Sequence, residues 1–364
     1  KDNFSFKDKF YMELALDLAR AREGHTGTNP SVGCVIVKND EIISIGQTSF
    51  SGRPHAETNA IRSTTEDLNG SKMYVTLEPC SHYGVTPPCT SSIVKSKISE
   101  VIYSVIDIDK RVKGKTFRIL KSKNIKVMKG VLEDKVKQFY LPYFFNRKNK
   151  LPYVSGKIAI AKNHLIFSKK KRKITNLKSD RFTHFLRYKN DSILISYKTL
   201  NKDNPKLNCR LKSMEKFSPK RIILDNNLRT NTNSYLFKTA NKNNTIIFYN
   251  EADKSKILQF KKRKIEIIKS KIDTKKRFDL KVILKRLYKL GCRNILVEGG
   301  NELTKHFLNK KMFNLFYLFK SPRKLSKLTE FKEFNGFNIL KQNYKNKLII
   351  NSNLGKDTIT LYKK

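Results

Sequence analysis

Cysteine is scarce in this sequence of 364 residues, and none of its apolar runs is long. The five cysteines form an odd, widely spaced set, which is not typical of a disulfide framework and favours a reducing compartment. No apolar run reaches the roughly 18 residues that a membrane span needs, and the visible start does not resemble the apolar core of a signal peptide. We therefore expect a cytoplasmic protein outside the membrane, and its length suits about two domains.

Acidic residues are also few, with 31 Asp and Glu against 77 Lys and Arg and a net charge of +46. Residues 1–145 contain 22 basic and 16 acidic residues, a net of +6, whereas the remainder contains 55 and 15, a net of +40. Three explanations stay open: a general compositional bias, a substrate and a cofactor that bear phosphate, or a nucleic-acid surface. We favour the first and consider a nucleic-acid partner the least supported.

The first part of the chain alternates between helical and β-rich patterns. Apolar spacing predicts helices over 8–22, 55–64 and 89–96 and strands over 32–37, 41–46, 73–77, 101–105 and 125–127. Asn39-Asp40 between the first two strands is a typical hairpin turn. This order of elements predicts an α/β layered domain over residues 1–145.

A polar segment that ends in Pro152 follows, and we interpret 146–152 as a linker. Beyond it, β-branched runs predict strands over 154–161, 193–196, 221–224, 245–249, 265–268 and 294–297. Helical patterns lie between them at 178–188, 279–290 and 301–309. Residues 153–364 are therefore expected to form a second α/β domain with a largely parallel sheet.

Four residues in the first domain suggest a zinc-dependent deaminase. His55, Cys80 and Cys89 would supply one imidazole and two thiolates, and a catalytic zinc has three protein ligands with a fourth position for water. Glu57, two residues after His55, could move the proton of that water. A His-x-Glu sequence followed by Pro-Cys is the signature of zinc deaminases, in which the Glu is not a ligand. The alternative, a helix-start histidine with ordinary core thiols, explains this combination poorly, although it suits Cys34 on its apolar strand.

The spacing of the two cysteines narrows the substrate class. Nucleic-acid and nucleoside deaminases usually carry Pro-Cys-x-x-Cys. Here eight residues separate Cys80 from Cys89, and the longer loop could carry additional substrate contacts.

Together these motifs resemble the bifunctional deaminase-reductases of riboflavin biosynthesis. The resemblance is most specific before residue 110, and it rests on three segments: Asn29-Pro30-Ser31-Val32-Gly33-Cys34, Pro54-His55-Ala56-Glu57, and Glu78-Pro79-Cys80-Ser81-His82-Tyr83-Gly84 with Thr86-Pro87-Pro88-Cys89. It implies a cytidine-deaminase-like α/β/α domain that removes an amino group from a diaminopyrimidinone bearing a ribosylamino 5'-phosphate. It also implies a dihydrofolate-reductase-like α/β domain that reduces the ribosyl group to a ribityl chain with NADPH.

The resemblance assigns roles to individual residues. It implies zinc on His55, Cys80 and Cys89, Glu57 as proton shuttle, and Asn29 and His82 as contacts to the pyrimidine or ribose. In the second domain it implies that NADPH touches Ala159, Thr199, Asp203, Asn226, Gly300 and Asn301. The substrate contacts implied there are Arg187, Leu207, Arg210 and Glu298. Gly299-Gly300 directly precedes the predicted helix over 301–309. Such a pair can bind a phosphate on physical grounds, because it exposes backbone amides at the start of the helix.

The sequence departs from the family pattern at several positions. Val85 stands where the family usually has Lys or Arg for the substrate phosphate, and Arg53 is a possible substitute. Ala161, Asn163 and His164 fall in a turn that usually reads Ser-Leu-Asp-Gly, and Lys173 replaces a Trp in a chain with no Trp. These changes leave a decayed or altered reductase as the alternative.

Two other functions compete with the two-step enzyme. One is a nucleic-acid deaminase with a basic binding domain, which Phe313–Phe319 interleaved with Lys faintly favours, although such a stripe is more often core. The other is a deaminase whose second domain only supports oligomerisation. We expect a small phosphorylated pyrimidine as substrate and a homo-oligomer, either dimer or tetramer.

Overall fold

The computed structural model describes residues 4–169, 173–350 and 354–364. The chain divides into two compact units, unit 1 (Lys1–Lys150) and unit 2 (Leu151–Lys364). None of the helices in these described ranges is both long enough and apolar enough to cross a bilayer.

Unit 1 is a mixed sheet with helices on both faces. Its helices are α1 (Phe6–Ala21), α2 (Ala56–Arg62), α3 (Cys89–Lys95), α4 (Lys115–Lys121) and α5 (Glu133–Asn149). Its strands are β1 (Gly33–Lys38), β2 (Glu41–Gln47), β3 (Lys72–Leu77), β4 (Glu100–Val105) and β5 (Lys126–Lys129). The strand order is β2-β1-β3-β4-β5, in which β1 is antiparallel to both neighbours and β3, β4 and β5 are parallel.

Alternation along β1 explains the two layers of unit 1. Val35 and Val37 pack with α1 on one face, whereas Cys34 and Ile36 pack on the other face with the core that includes Ala56 of α2. Cys34 is fully buried, which confirms its interpretation as a core residue. The predicted α/β/α layering is therefore confirmed.

The segment expected to be a linker begins as a helix. Helix α5 continues to Asn149, so 146–149 are helical, and the two units divide after Lys150. Tyr140 is buried, Phe144 packs against the same core, and Asn146 is only 4% exposed. Since these side chains bury one side of α5, its polar end is the last part of a packed helix and not a solvated linker.

Unit 2 contains a long, mostly parallel sheet. Its helices are α6 (Leu177–Lys189), α7 (Tyr197–Asp203), α8 (Tyr235–Lys238), α9 (Lys254–Lys262), α10 (Leu280–Lys289), α11 (Asn301–Asn309) and α12 (Phe337–Asn343). Its strands are β6 (Tyr153–Ile160), β7 (Leu165–Ser168), β8 (Ser192–Ser196), β9 (Lys220–Leu224), β10 (Thr245–Tyr249), β11 (Glu266–Lys269), β12 (Asn294–Val297), β13 (Leu315–Lys320), β14 (Phe331–Glu333), β15 (Asn346–Ile350) and β16 (Thr358–Lys363).

The sheet order in unit 2 is β11-β10-β9-β8-β12-β6-β13-β16-β15. All neighbours from β11 to β13 pair in parallel, and β16 is antiparallel to β13 and β15. The largely parallel sheet expected from the sequence is thus confirmed. The aromatic stripe belongs to this core, because Phe313, Phe316 and Phe319 are at most 1% exposed and cannot stack on nucleotide bases.

Candidate functional site

The three candidate metal ligands meet where two helices begin. His55 directly precedes α2, Cys89 is the first residue of α3, and Cys80 follows the carboxyl end of β3. His55 Nδ1 lies 3.6 Å from Cys80 Sγ and 3.4 Å from Cys89 Sγ, and one ligand atom from each residue falls within 4.8 Å of the others. One nitrogen and two sulfurs at this separation fit a tetrahedral zinc with a fourth position open.

Electrostatics favour a thiolate in this cluster. The Cys89 thiol and the His55 ring bond to Cys80 Sγ, and the backbone N–H of Cys89 donates to it over 3.2 Å. These donors outweigh burial and lower the pKa of Cys80 to about 4. Since zinc binds the thiolate form, the protein environment already favours the metal-binding state of this residue.

Glu57 lies beside the ligands in the first turn of α2 and is 4% exposed. Burial raises its pKa, an effect that the nearby His55 partly offsets. A buried carboxyl whose affinity for protons is increased suits a group that must accept a proton and then give it away.

A cavity of about 330 Å³ opens beside these residues. Asn29 and His82, which are expected to contact the pyrimidine or ribose, both line it. The Asn29 amide donates to the Gly52 carbonyl over 2.9 Å, whereas the buried His82 Nδ1 has no hydrogen-bond partner among the described residues. Val85 also lines the cavity, but its side chain is 86% exposed.

Sequence reasoning missed part of this cavity. Asp107 and Asp109 follow β4, Tyr143 and Arg147 come from α5, and all four line the cavity together with Arg111. Tyr143 donates to Asp107 over 3.0 Å, and Arg111 forms an ion pair of 2.6 Å with Asp109. The available signal was an Asp-x-Asp sequence at the carboxyl end of a parallel strand, where α/β sheets bind ligands.

The substrate residues expected in unit 2 also cluster. Arg187 donates to both carboxylate oxygens of Glu298 over 2.7 and 2.9 Å and to the Asn208 carbonyl over 3.1 Å. Arg210 donates to the Asn208 side chain over 2.9 Å, and buried Leu207 directly precedes Asn208. The sequence reasoning missed Asn208, which joins the two arginines.

The expected cofactor residues occupy one edge of the unit 2 sheet. Thr199, Asn226 and Gly300 follow the carboxyl ends of β8, β9 and β12, and Ala159 is near that end of β6. A Cβ on Gly300 would be 3.5 Å from Thr199 Oγ1, so these two positions are close. Three further expected residues have these surroundings: Asp203 ends α7 and is exposed, the Asn226 amide donates to the Lys276 carbonyl over 2.6 Å, and Asn301 Oδ1 accepts from the Asn335 backbone over 3.2 Å.

The turn that departs from the family pattern is nevertheless closed. The Ala161 N–H donates to the Leu165 carbonyl over 2.9 Å, and His164 adopts a left-handed φ of 64°. Asn163 bonds to both the N–H and the carbonyl of Leu325, at 3.1 and 2.8 Å. Lys173 forms an ion pair of 2.7 Å with Asp180, whereas 170–172 are outside the described residues.

Comparisons with known proteins agree with this division of the chain. Residues 5–105 match the cytidine and deoxycytidylate deaminase zinc-binding region, and residues 162–341 match the RibD C-terminal domain. The riboflavin biosynthesis protein RibD of Aquifex aeolicus is 32% identical over 98% of both chains. That of Actinobacillus pleuropneumoniae is 33% identical over 88% of this chain and 85% of its own.

Solved structures give the same result over the whole chain. Acinetobacter baumannii RibD superimposes with a TM-score of 0.85 at 26% identity, and 98% of both chains is covered. A Thermotoga maritima protein described as a diaminohydroxyphosphoribosylaminopyrimidine deaminase and 5-amino-6-(5-phosphoribosylamino)uracil reductase reaches 0.82 at 28% identity with the same coverage. The two expected fold types, cytidine-deaminase-like and reductase, are thereby confirmed.

Proposed function

The chain belongs to the RibD family of riboflavin biosynthesis proteins, and from this membership we propose which of its residues carry the reactions. It is a bifunctional enzyme with a deaminase and a reductase activity. We assign the deaminase to unit 1 and the reductase to unit 2. The substrate we propose for unit 1 is 2,5-diamino-6-(5-phosphoribosylamino)pyrimidin-4(3H)-one.

The deaminase proposal rests mainly on one observation, three ligand atoms within 4.8 Å of one another next to a buried carboxyl. Zinc, when bound by His55, Cys80 and Cys89, supplies a Lewis acid that makes water nucleophilic near neutral pH. Glu57 takes one proton from the attacking water and gives it to a ring nitrogen, and it then carries the second proton of the same oxygen to the leaving amine, which departs as ammonia while the carbonyl forms. Asn29 and His82 orient the pyrimidine and ribose.

Replacing Glu57 by Gln tests the shuttle. The amide keeps the shape of the side chain but cannot carry the proton, so we expect ammonia release to fall by roughly 10²- to 10⁴-fold. Zinc measured by atomic absorption should stay stoichiometric. Glu66→Gln, an exposed carboxyl of the same unit, is the matched control and should keep the parent rate. An active Glu57→Gln variant would contradict the assignment, and purification of the parent enzyme without zinc would contradict the metal site.

In unit 2 we propose that Arg187, Leu207, Arg210 and Glu298 bind the deaminated product. Arg187 and Arg210 bring positive charge to a substrate that carries phosphate, and the pair Arg187–Glu298 fixes the orientation of one guanidinium. NADPH would lie along the sheet edge that contains Ala159, Thr199, Asp203, Asn226, Gly300 and Asn301, and it supplies the hydride for reduction of the ribosyl group. The closed turn at Ala161–Leu165 supports an intact reductase over a decayed one.

A coupled assay that reads ammonia and NADPH absorbance together tests both halves. We expect NADPH oxidation to follow ammonia release in the parent enzyme and to fall strongly in Arg210→Met, whose side chain is exposed, while ammonia release continues. Ammonia release without NADPH oxidation at saturating substrate would contradict the reductase assignment.

Two further proposals concern the cellular location and the oligomeric state of the protein. We propose that the protein acts in the cytoplasm and that it forms a homo-oligomer. Multi-angle light scattering of the intact chain tests the second, and a monomer at micromolar concentration would contradict it.

A further inference from the structure

Arg53 reaches into the deaminase cavity from the segment that precedes α2. Its Nη1 donates to Thr86 Oγ1 over 2.7 Å. A Cβ built on Gly84 would be 3.7 Å from Arg53 Nη2. The guanidinium therefore lies against the Gly84–Thr86 part of the loop between the two cysteines, inside the cavity wall.

The charge of Arg53 is not neutralised by a neighbouring carboxylate. None of the ion pairs found among the described residues includes Arg53. By contrast, Asp109 forms ion pairs with both other cavity arginines, Arg111 at 2.6 Å and Arg147 at 4.0 Å. A guanidinium that lines a cavity and has no acidic partner in the described part of the chain is suited to bind an anionic ligand.

The other contact of Arg53 leaves most of its donors available. Nη1 is 3.4 Å from His55 Nε2, but His55 turns Nδ1 toward the cysteines. A guanidinium has five N–H donors, and both contacts involve Nη1 alone. Nε and Nη2 have no hydrogen-bond partner among the described residues.

The cavity is lined by side chains of both charge signs. Glu57 and Asp107 line the cavity and would repel a phosphate near them. The loop next to Arg53 offers no other cation, because Val85 is apolar and Tyr83, Thr86 and Pro87 are uncharged. His82 Nε2 would be 3.8 Å from the same Cβ on Gly84, so the imidazole and the guanidinium flank one small region.

We propose that Arg53 binds the 5'-phosphate of the deaminase substrate, with the adjoining loop from Gly84 to Thr86 forming part of the same phosphate site. The inference rests on the proposed function, since it names the residue that selects the phosphorylated form of that substrate. Arg53 is a specificity residue here, and it takes no part in the proton transfer by Glu57.

The test compares deamination of the phosphorylated substrate with that of the same compound lacking the phosphate. In Arg53→Met we expect KM for the phosphorylated form to rise on the order of tenfold or more, the loss typical of a charged hydrogen bond. The kcat value and the KM for the dephosphorylated form should change little. Arg53→Lys should fall between the parent and Arg53→Met, and Arg118→Met, which removes an exposed charge from α4, should match the parent.

A relocation variant separates phosphate binding from loop positioning. Arg53→Met combined with Val85→Arg moves the guanidinium to the adjoining loop, and we expect it to recover a large part of the lost affinity for the phosphorylated form. Thr86→Val removes the Arg53–Thr86 bond but keeps the charge, so it should cost much less than Arg53→Met. Zinc content, measured for every variant, shows whether the metal site is intact.

Equal losses on both substrate forms in Arg53→Met would overturn the inference, because they would show a merely structural role. If the variant with both Arg53→Met and Val85→Arg recovers no affinity for the phosphorylated form, the phosphate does not bind beside this loop. If the parent enzyme deaminates neither form, the proposed function itself is wrong. Binding of inorganic phosphate, measured by calorimetry as weaker in Arg53→Met than in Arg118→Met, is expected independently of turnover.

Discussion

At the scale of single residues, Arg187 and Glu298 form a well-buried ion pair. Their side chains are 10% and 13% exposed, and two parallel hydrogen bonds join them. Burial opposes ionisation of Glu298, but the charge and hydrogen bonds of Arg187 outweigh it and lower the pKa of this carboxyl. Nearby, burial lowers the pKa of Lys157, and the negative charge of Glu298 limits that shift. Each charge in this cluster therefore depends on the others.

Removing Glu298 should destabilise unit 2 strongly. Glu298→Gln leaves Arg187 without its charged partner, which for a buried pair costs about 3–5 kcal/mol of unfolding free energy. The chain has no Trp, so scanning calorimetry is preferable to intrinsic fluorescence. Glu330→Gln, an exposed carboxyl of the same unit, is the control and should leave the transition in place.

The difference in unfolding temperature between the parent and Glu298→Gln should depend on pH in one direction. Because the pKa of Glu298 is lower in the folded state than the ordinary value of 4.5, its stabilising effect is fully present above that value. It is lost as the pH falls through the folded pKa. The unfolding temperatures of the parent and Glu298→Gln should therefore differ by a constant amount above about pH 5 and converge below about pH 4. A difference that grows on acidification would contradict this account.

At the scale of elements, helix α2 is positioned by close contact with β2. A Cβ on Gly46 would overlap the Ala56 carbonyl oxygen and lie 2.5 Å from the Ala60 backbone nitrogen. The first turn of α2 holds Glu57 and directly follows His55. The absence of a side chain at Gly46 therefore determines how closely the zinc ligand and the proton shuttle approach the sheet.

Gly46→Ala should push the start of α2 away from β2. We expect a loss of about 1–3 kcal/mol in stability, typical of an overpacked core, together with weaker zinc binding because His55 moves relative to the cysteines. Competition with a colorimetric zinc chelator measures the second effect. Ile45→Ala, on the same strand with a half-exposed side chain, is the control. Unchanged zinc affinity in Gly46→Ala would show that α2 adapts without moving its first turn.

The elements also show what the sequence could and could not predict. Strands such as β1 and β12 were predictable because apolar and β-branched runs are local signals. Helix α5 was missed because it contains Pro142 and ends in polar residues, both of which are typical of a linker. The helix forms because its apolar side packs onto a core built from distant parts of the chain, which the local sequence does not show. Strand β13 was missed because a uniformly apolar, aromatic segment has no period that separates strand from helix.

The same distinction applies within the sites. His55, Cys80 and Cys89 were predictable because metal ligation imposes a short sequence pattern. Tyr143 and Asn208 have no such pattern, and the Asp-x-Asp sequence that contains Asp107 does not identify a site by itself. The proximity of these residues to the sites depends on strand ends and on a helix that returns to the sheet. Residues placed by topology alone need the folded structure.

At the scale of the whole molecule, the two units differ greatly in charge. Unit 1 has 25 basic and 16 acidic residues, a net of +9, whereas unit 2 has 52 and 15, a net of +37. Like charges repel in the compact state, so unit 2 loses more stability than unit 1 at low ionic strength. Fixed salt bridges in unit 2 do not offset this, because the ion pairs Lys173–Asp180, Arg277–Asp273 and Lys327–Glu333 have exposed side chains and contribute little.

Salt should therefore stabilise unit 2 selectively. An increase in ionic strength from 0.01 M to 0.1 M shortens the screening length from about 30 Å to about 10 Å. Each kcal/mol of repulsion relieved at the midpoint should raise the unfolding temperature of unit 2 by roughly 2–4 °C. Calorimetry of the intact chain measures this, with the unit 2 transition identified as the one that Glu298→Gln lowers.

A comparison of sodium chloride with sodium sulfate at equal ionic strength separates charge screening from specific anion binding. Sulfate has a general stabilising effect, and the shift in the unfolding temperature of unit 1 measures it. If sulfate raises the unfolding temperature of unit 2 by more than that, unit 2 binds the anion specifically. Equal shifts of both transitions in chloride would show that the charge of unit 2 is already dispersed enough to have no cost.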